Sequence, residues 1–389
     1  MIFAPRNLLS LLFVGLVLTV SPLCSAQSPV PSAPSVGATS YVLVDFHSDT
    51  VVSELEADAQ VEPASITKLM TSYVVFSEIA DDNLALSDEV LVSEKAWRTE
   101  GSRMFIEVGT RVSVEELLKG VIIQSGNDAS VALAEHVGGS EEVFAGMMNE
   151  AARELGMTGT NYVNATGLPH PDQYTTARDI ARLAGALIGQ FPDFYSWYSE
   201  REYTYGGIRQ HNRNRLLWRD PSVDGLKTGH TESAGYCLVT SAMRDGMRLI
   251  SVVMGTESEE ARATASQSLL NYGFRFFETY QLYESGDEIS VEPVWKGAAD
   301  EVALGVDRDL FVTIPRGRYD ALEARLEVNG TLTAPLEAGE RVGRLVVALD
   351  DSDLADRPLV ALGAVEQAGF FGRSMDGFRL WVGSLFGGD

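Results

Sequence analysis

The sequence predicts an α+β domain built on one mainly antiparallel sheet, followed by a small all-β domain and a C-terminal amphipathic helix. Three observations carry this. Residues 40–280 mix helical and strand periodicities, with most helices before Asp224 and three strand-like runs after it. Residues 281–368 hold only short apolar-bearing runs, broken or separated by Gly, Pro, Asn and Asp. Residues 369–389 return to helical spacing. For 389 residues two domains are the ordinary expectation, and 45% hydrophobic against 22% charged residues describes a globular chain.

Residues 1–26 read as a secretory signal. Arg6 is the only charged side chain there, residues 8–20 form the apolar stretch, and Cys24-Ser25-Ala26 offers small residues for cleavage before Gln27. The apolar run is short for a membrane span. The alternative, a lipid anchor on Cys24, fits poorly with Pro22 and Leu23 before it. Cleavage leaves Cys237 as the only cysteine, so no internal disulfide forms and packing must supply the stability. Within Gly-Tyr-Cys-Leu-Val, Cys237 reads as a small buried apolar residue, with a reactive thiol as the alternative.

Residues 27–39, rich in Pro, Ser, Val and Ala, form a flexible lead-in. Residues 41–46 have strand character. Pro63-Ala64-Ser65 opens a helix through Ile66, Leu69, Met70, Tyr73 and Val74. Ser113-Val-Glu-Glu116 is a capping box ahead of Leu117, Leu118, Val121 and Ile122. That helix ends near Gln124, which leaves Ser125-Gly126-Asn127 in the turn before a helical run at 129–136. Helices follow at 141–155 and 176–188, strands at 226–228, 235–242 and 247–254, and a closing helix at 259–277. Asp245-Gly246 supplies a hairpin turn. In the β domain the strand-like runs are 307–314, 322–328, 331–335, 341–349 and 357–362.

In the last stretch Phe371, Met375, Phe378, Val382 and Leu385 share one helical face opposite Arg373, Asp376, Arg379 and Ser384. The pattern is that of a helix lying on a membrane surface. A helix packed on the β domain is the alternative, and Gly372, Gly377 and Gly383 weaken either. The formal charge of −25 repels phosphates and excludes nucleic acid as a partner.

Three strings bear chemistry: Ser65-Ile66-Thr67-Lys68, Ser125-Gly126-Asn127 and Lys227-Thr228-Gly229. Of 30 basic residues only five are lysines, two of them in these strings. Arginine cannot give up its proton at useful pH, whereas a buried lysine can. Positions three apart share a helix face, so Lys68 can reach the Ser65 hydroxyl and activate it as a nucleophile. Burial and a second cation lower a lysine pKa, and Lys227 is the candidate cation. Backbone N–H groups at the helix start suit a developing oxyanion. Ser125 can shuttle a proton and Asn127 can hold a substrate backbone. Lys227, Thr228 and the bare Gly229 fit a substrate that presents a free carboxylate along a strand edge. Each string alone is ordinary helix-start, turn or strand sequence; their order and placement make the functional reading.

The ordered set resembles that of penicillin-binding proteins and serine β-lactamases. More closely, the chain resembles low-molecular-weight D-alanyl-D-alanine carboxypeptidases of the penicillin-binding protein 5 type. Pro-Ala-Ser-Ile-Thr-Lys-Leu-Met (63–70), Gln-Ser-Gly-Asn-Asp-Ala (124–129), Asp-Gly-Leu-Lys-Thr-Gly-His-Thr (224–231), Gly-Phe-Arg-Phe-Phe-Glu-Thr (273–279) and Thr-Ile-Pro-Arg-Gly-Arg (313–318) carry the likeness. It implies a DD-peptidase/β-lactamase-like first domain in which Ser65 is acylated and Lys68 is the base. Ser125 would pass the proton to the leaving D-alanine, Asn127 would hold the backbone, and Lys227 and Thr228 would bind the terminal carboxylate. The Ser65 and His230 N–H groups would form the oxyanion hole. No metal or organic cofactor is implied.

Arg213, in Asn212-Arg213-Asn214, is a candidate for carboxylate binding, with a solvated loop as the alternative. Asp179 is a candidate supporting carboxylate near His230, although Thr176-Ala-Arg-Asp179 also reads as a capping box. The implied partners are peptidoglycan stems ending in D-Ala-D-Ala, β-lactams, and the outer face of the inner membrane, reached through the C-terminal helix of an exported, periplasmic enzyme. A serine β-lactamase and a non-catalytic envelope protein that binds penicillin or peptidoglycan are the competing readings.

Overall fold

The computed structural model describes residues 30–369. The expected signal and C-terminal helix lie outside the described residues. Residues 30–39 contain no helix, and strand begins only at Ser40.

The first domain runs through β1 (Ser40–Asp45), β2 (Val51–Leu55), α1 (Lys68–Ala80), β3 (Glu89–Leu91), α2 (Glu94–Arg98), β4 (Arg111–Ser113), α3 (Val114–Lys119), α4 (Asn127–Gly138) and α5 (Glu141–Glu154). It continues with α6 (Ala177–Gln190), α7 (Pro192–Tyr195), β5 (Glu202–Tyr205), β6 (Ile208–His211), α8 (Leu216–Arg219), β7 (Val223–Thr231), β8 (Gly235–Arg244), β9 (Met247–Thr256) and α9 (Glu259–Phe276). Its main sheet is antiparallel in the order β2-β1-β9-β8-β7.

Period-two alternation sends successive side chains to opposite faces. Leu43, Leu238, Leu249 and Val253 pack with Leu269, Leu270 and Phe274 of α9. Their neighbours Val42, Val239, Ile250 and Val252 join the larger core with α1, α4 and α6. The sheet is therefore a layer between two helical layers, which is why its inner strands read as continuous apolar runs. Asp245 (φ 50°) and Gly246 (φ 83°) close the β8–β9 hairpin as expected. The Ser113 capping box forms in full.

The second domain comprises β10 (Phe277–Tyr283), β11 (Ser290–Pro293), β12 (Glu301–Val306), β13 (Leu310–Pro315), β14 (Leu322–Val328), β15 (Arg341–Leu349) and β16 (Ser352–Ala361). Five strands form a sheet in the order β11-β12-β16-β15-β14, and β10 pairs with β13. The expected division after residue 280 falls inside β10. Two expectations are corrected. Residues 331–335 make one bridge, Trp295 to Thr333, rather than a strand; Pro335 has no N–H to give a ladder. The run 307–314 begins as a turn, and strand starts only at Leu310. Among the described residues no helix is long and apolar enough to cross a membrane.

Candidate active site

Ser65 stands on a strained turn. A 3₁₀ turn, Ala64–Thr67, leads into α1, and Ala64 has φ 46°. A non-glycine residue pays about 1–2 kcal/mol in that left-handed region. Gly167, itself at φ 82°, packs directly on the Ala64 carbonyl, where any Cβ would collide with the oxygen. Ile66 and Thr67 are buried while Ser65 is half-buried and lines an open cleft.

Lys68, at the start of α1, is only 1% exposed. Its Nζ lies 2.6 Å from the Thr166 carbonyl, 2.7 Å from Asn127 Oδ1 and 3.1 Å from Ser65 Oγ. The Asn127 amide is oriented by donation from Nδ2 to the Glu100 carbonyl at 2.5 Å. Two of the three partners can thus only accept. A neutral amine donates to those two and leaves its lone pair for the Ser65 hydroxyl proton. Burial pulls the Lys68 pKa down to about 7, helped by the Arg213 charge and opposed by Asp128. Arg213 thus joins the expected Lys227 as a cation beside Lys68, the two lysines acting on each other.

Ser125 follows a π-helical turn, Gly120–Gln124, and adopts φ 61°, ψ 35°. Its Oγ accepts from Lys227 Nζ at 2.8 Å. The buried Asp128 receives the N–H groups of Met104, Phe105 and Ile106 at 3.0, 2.9 and 3.3 Å, and Asn127 N–H donates to the Ser102 carbonyl at 2.7 Å. These bonds pin the 100–106 loop over the Ser125 motif. A Cβ at Gly101 would meet Asn127 Nδ2 at 2.6 Å, so the loop needs glycine there.

Lys227, Thr228 and Gly229 lie on β7, the edge strand, with Gly229 packed close to Pro63, Ala64 and Ile66. Lys227 Nζ also donates to its neighbour's carbonyl, at 3.1 Å from Thr228 O. Its pKa is held well below the usual lysine range by burial, then by Lys68, Arg213 and Arg262. Two buried amines and two guanidiniums share one cleft, so the protons on the lysines are coupled. The cleft holds about 390 Å³ between Ser65, Ser125, Arg213, Thr228, His230 and Arg262, with Gly101, Ser102, Gly229, Tyr236 and Glu259 completing its wall.

The structure thus brings Ser65, Lys68, Ser125, Asn127, Lys227, Thr228, Gly229, His230 and Arg213 together. It places Asp179 elsewhere: its carboxylate accepts from Gly159 N–H and Thr160 Oγ1, both at 2.8 Å, and from Arg182 at 2.9 Å. Asp179 N–H donates to Thr176 Oγ1 at 3.1 Å, so the residue serves the start of α6. The His230 ring instead stacks on Tyr236, 3.9 Å between centroids.

Sequence reasoning missed Thr166, Gly167, Asp128, Glu259 and Arg262. Arg262 is 4% exposed, donates to the Gly229 carbonyl at 3.1 Å and lies over the Tyr236 ring. A signal existed: Arg262 shares a helical face with buried Ala265, Ser266 and Leu269, where a charge needs a reason. Cys237, paired with Gly229, is buried, and that burial pushes its thiol up to about 11, which keeps it unreactive.

A family model described as D-alanyl-D-alanine carboxypeptidase matches residues 27–258, and one described as penicillin-binding protein 5, C-terminal domain, matches residues 277–367. The chain is 43% identical over 369 residues to D-alanyl-D-alanine carboxypeptidase DacA of Escherichia coli (strain K12), covering 93% of this chain and 92% of that one. It is 45% identical over 378 residues to DacC of the same organism, covering 94% of each. The crystal structure of penicillin binding protein 5 from Haemophilus influenzae superposes with a TM-score of 0.84 at 42% identity, covering 87% of this chain and all of that one.

Proposed function

The chain belongs to the D-alanyl-D-alanine carboxypeptidase family and is a serine-type enzyme of that activity, and from that premise we propose how its residues divide the work. The observation that carries the proposal is the neutral-amine geometry at Lys68. Ser65 Oγ attacks the carbonyl between the two D-alanines as Lys68 Nζ takes its proton. The tetrahedral oxyanion faces the Ser65 and His230 N–H groups. The C–N bond breaks as the Lys227-bound Ser125 hydroxyl delivers a proton to the departing D-alanine amine. Ser125 regains a proton from the Lys68 ammonium, which returns Lys68 to its neutral form. Lys227, Thr228 and Arg213 hold the terminal carboxylate, which brings the missing negative charge to a cation-rich site. Water, with Lys68 again the base, then cleaves the Ser65 ester. A β-lactam acylates Ser65 by the same first step.

The test is D-alanine release from a pentapeptide ending in D-Ala-D-Ala, with the Ser65 acyl-enzyme trapped by penicillin and weighed by mass spectrometry. Wild type should release D-alanine and gain one penicillin mass; Ser65→Ala should do neither. Release that survives the substitution would sink the assignment. Among the cleft-lining residues the only carboxylate is Glu259, which pairs with Arg215 at 2.7 Å and Arg262 at 3.9 Å. It is poorly free to hold a hydrolytic water, which favours slow β-lactam turnover over a β-lactamase.

The family acts in cell-wall metabolism, and export with peripheral attachment to the inner membrane completes the proposal. Its support is the signal-like pattern of residues 1–26 and the amphipathic pattern of residues 369–389. Deleting residues 369–389 should move the enzyme from the membrane fraction to the soluble periplasmic fraction; an unchanged distribution would rule the attachment out.

A further inference from the structure

The groove beyond the far end of β7 has no part in the reaction just derived. It holds about 410 Å³ and is lined by Gln60, Glu62, His170, Pro171, Gln173 and Tyr174 among others. The edge strand joins it to the cleft: His230 lines the cleft, and the next residue, Thr231, donates to Glu62 Oε2 at 3.4 Å. Ser233 Oγ donates to the same oxygen at 2.6 Å. Glu62 is half-buried and immediately precedes the Pro63-Ala64-Ser65 turn. Its hydrogen-bond partners are neutral hydroxyls, and no basic side chain among the described residues pairs with it. The neighbouring His170 is engaged elsewhere, its Nδ1 lying 3.2 Å from the Asp172 N–H group's nitrogen and 3.8 Å from Asp172 Oδ2.

Register assigns the groove its occupant. An extended peptide advances about 3.3 Å per residue, the same as the strand beside it. With the terminal carboxylate at Lys227 and Thr228, the last two substrate residues pass Gly229 and His230. The third from the C-terminus then comes level with Thr231, with Glu62 in reach of its side chain. We propose that Glu62 and this groove select an ammonium-bearing side chain at that third position. The proposal rests on the carboxylate-clamp reading of Lys227 and Thr228. A stem whose third residue has a free amine is charged there, and one acylated at that amine is not, so Glu62 distinguishes the two.

The test compares D-alanine release by the full-length enzyme from Nα-acetyl-L-Lys-D-Ala-D-Ala and from its Nα,Nε-diacetyl counterpart, for wild type and Glu62→Gln. Wild type should prefer the free amine by about tenfold in kcat/KM, the worth of one hydrogen-bonded charge pair, carried mainly in KM. Glu62→Gln should lose the preference and keep the diacetyl rate within about twofold. Its acylation by a fluorescent penicillin, which has no third residue, should be unchanged. Equal rates on both peptides in wild type, or a preference that survives in Glu62→Gln, would overturn the role of Glu62 alone. Penicillin acylation that falls in parallel with both peptide rates would make Glu62 a structural residue and overturn it too. No release from either peptide by wild type would overturn the clamp reading together with this one.

Discussion

Lys68 and Lys227 are the same side chain in the same cleft, both nearly fully buried and neither in an ion pair with a carboxylate among the described residues, yet their surroundings differ. Lys68 has two obligate acceptors and one hydroxyl, a set a neutral amine satisfies completely. Lys227 has one hydroxyl and one carbonyl, which leaves an ammonium one N–H short of a full set. The first environment finishes a base. The second, its pKa also lowered by burial and by Lys68, holds its proton firmly once an anion arrives. What distinguishes a catalytic base from a binding cation is thus the number and type of neighbouring acceptors, not depth of burial.

The sharpest way to break this comparison is Lys68→Arg, which fixes a permanent charge at the position and removes the base. Acylation of Ser65 by a chromogenic β-lactam should fall about 10³-fold or more. Lys68→Met should lose as much activity while raising Tm by about 3 °C or more, because the buried amine costs stability that activity requires. A Lys68→Arg enzyme that retained its rate would end the base assignment.

Next in size is Lys227→Gln, which should lower kcat/KM for D-Ala-D-Ala peptides by about 10–100-fold, the value of a charged hydrogen bond. The effect should be much smaller on a substrate whose terminal carboxylate is amidated; equal losses on both would deny Lys227 its clamp role.

A pH profile then separates the two lysines. The reaction needs neutral Lys68, so kcat/KM should rise with pH through about 7, the lowered pKa of that residue. Arg213 lowers that pKa, so Arg213→Gln should let it rise and move the acid limb toward higher pH. An unmoved limb would return the electrostatic role to burial alone. The linked stability has a definite sign: between the folded value near 7 and the ordinary lysine value the unfolded chain binds more protons, so Lys68 penalises stability fully below pH 7 and the penalty fades as pH rises.

The smallest effect is expected at the turn that presents Ser65. Ala64→Gly removes the cost of a left-handed alanine and should stabilise the protein by about 1 kcal/mol in urea unfolding, offset in part by the freer unfolded chain. Lost stability would show that the Ala64 methyl contact near Gly229 outweighs the strain.

Elements with local causes were legible in advance: the Ser113 capping box, the Asp245-Gly246 hairpin and the long apolar strands of the sheet. The short ribbons β3–β4 and β5–β6 were not, because three or four residues are too few to establish a period in the sequence, even where burial alternates as it does in β3 and β5. Ser65, Lys68, Ser125, Asn127 and Lys227 stood out because each sits in a short contiguous string. Thr166, Gly167 and Arg262 did not. Each acts through a backbone atom or a packing distance that joins segments remote along the chain. Asp179 misled for the opposite reason: it caps the start of α6 through Thr176, and its tertiary partners, the Gly159 N–H and Thr160 hydroxyl, lie away from the cleft.

By itself the sequence determined which side chains do chemistry and on which elements they ride, since helix periodicity, turn residues and three short strings are local properties. Only the tertiary structure decided what those side chains are at neutral pH. Whether Lys68 is an amine or an ammonium depends on its burial, on Arg213, and on the Thr166 and Asn127 oxygens. Low dielectric and charge proximity belong to the packed molecule and to no segment of it.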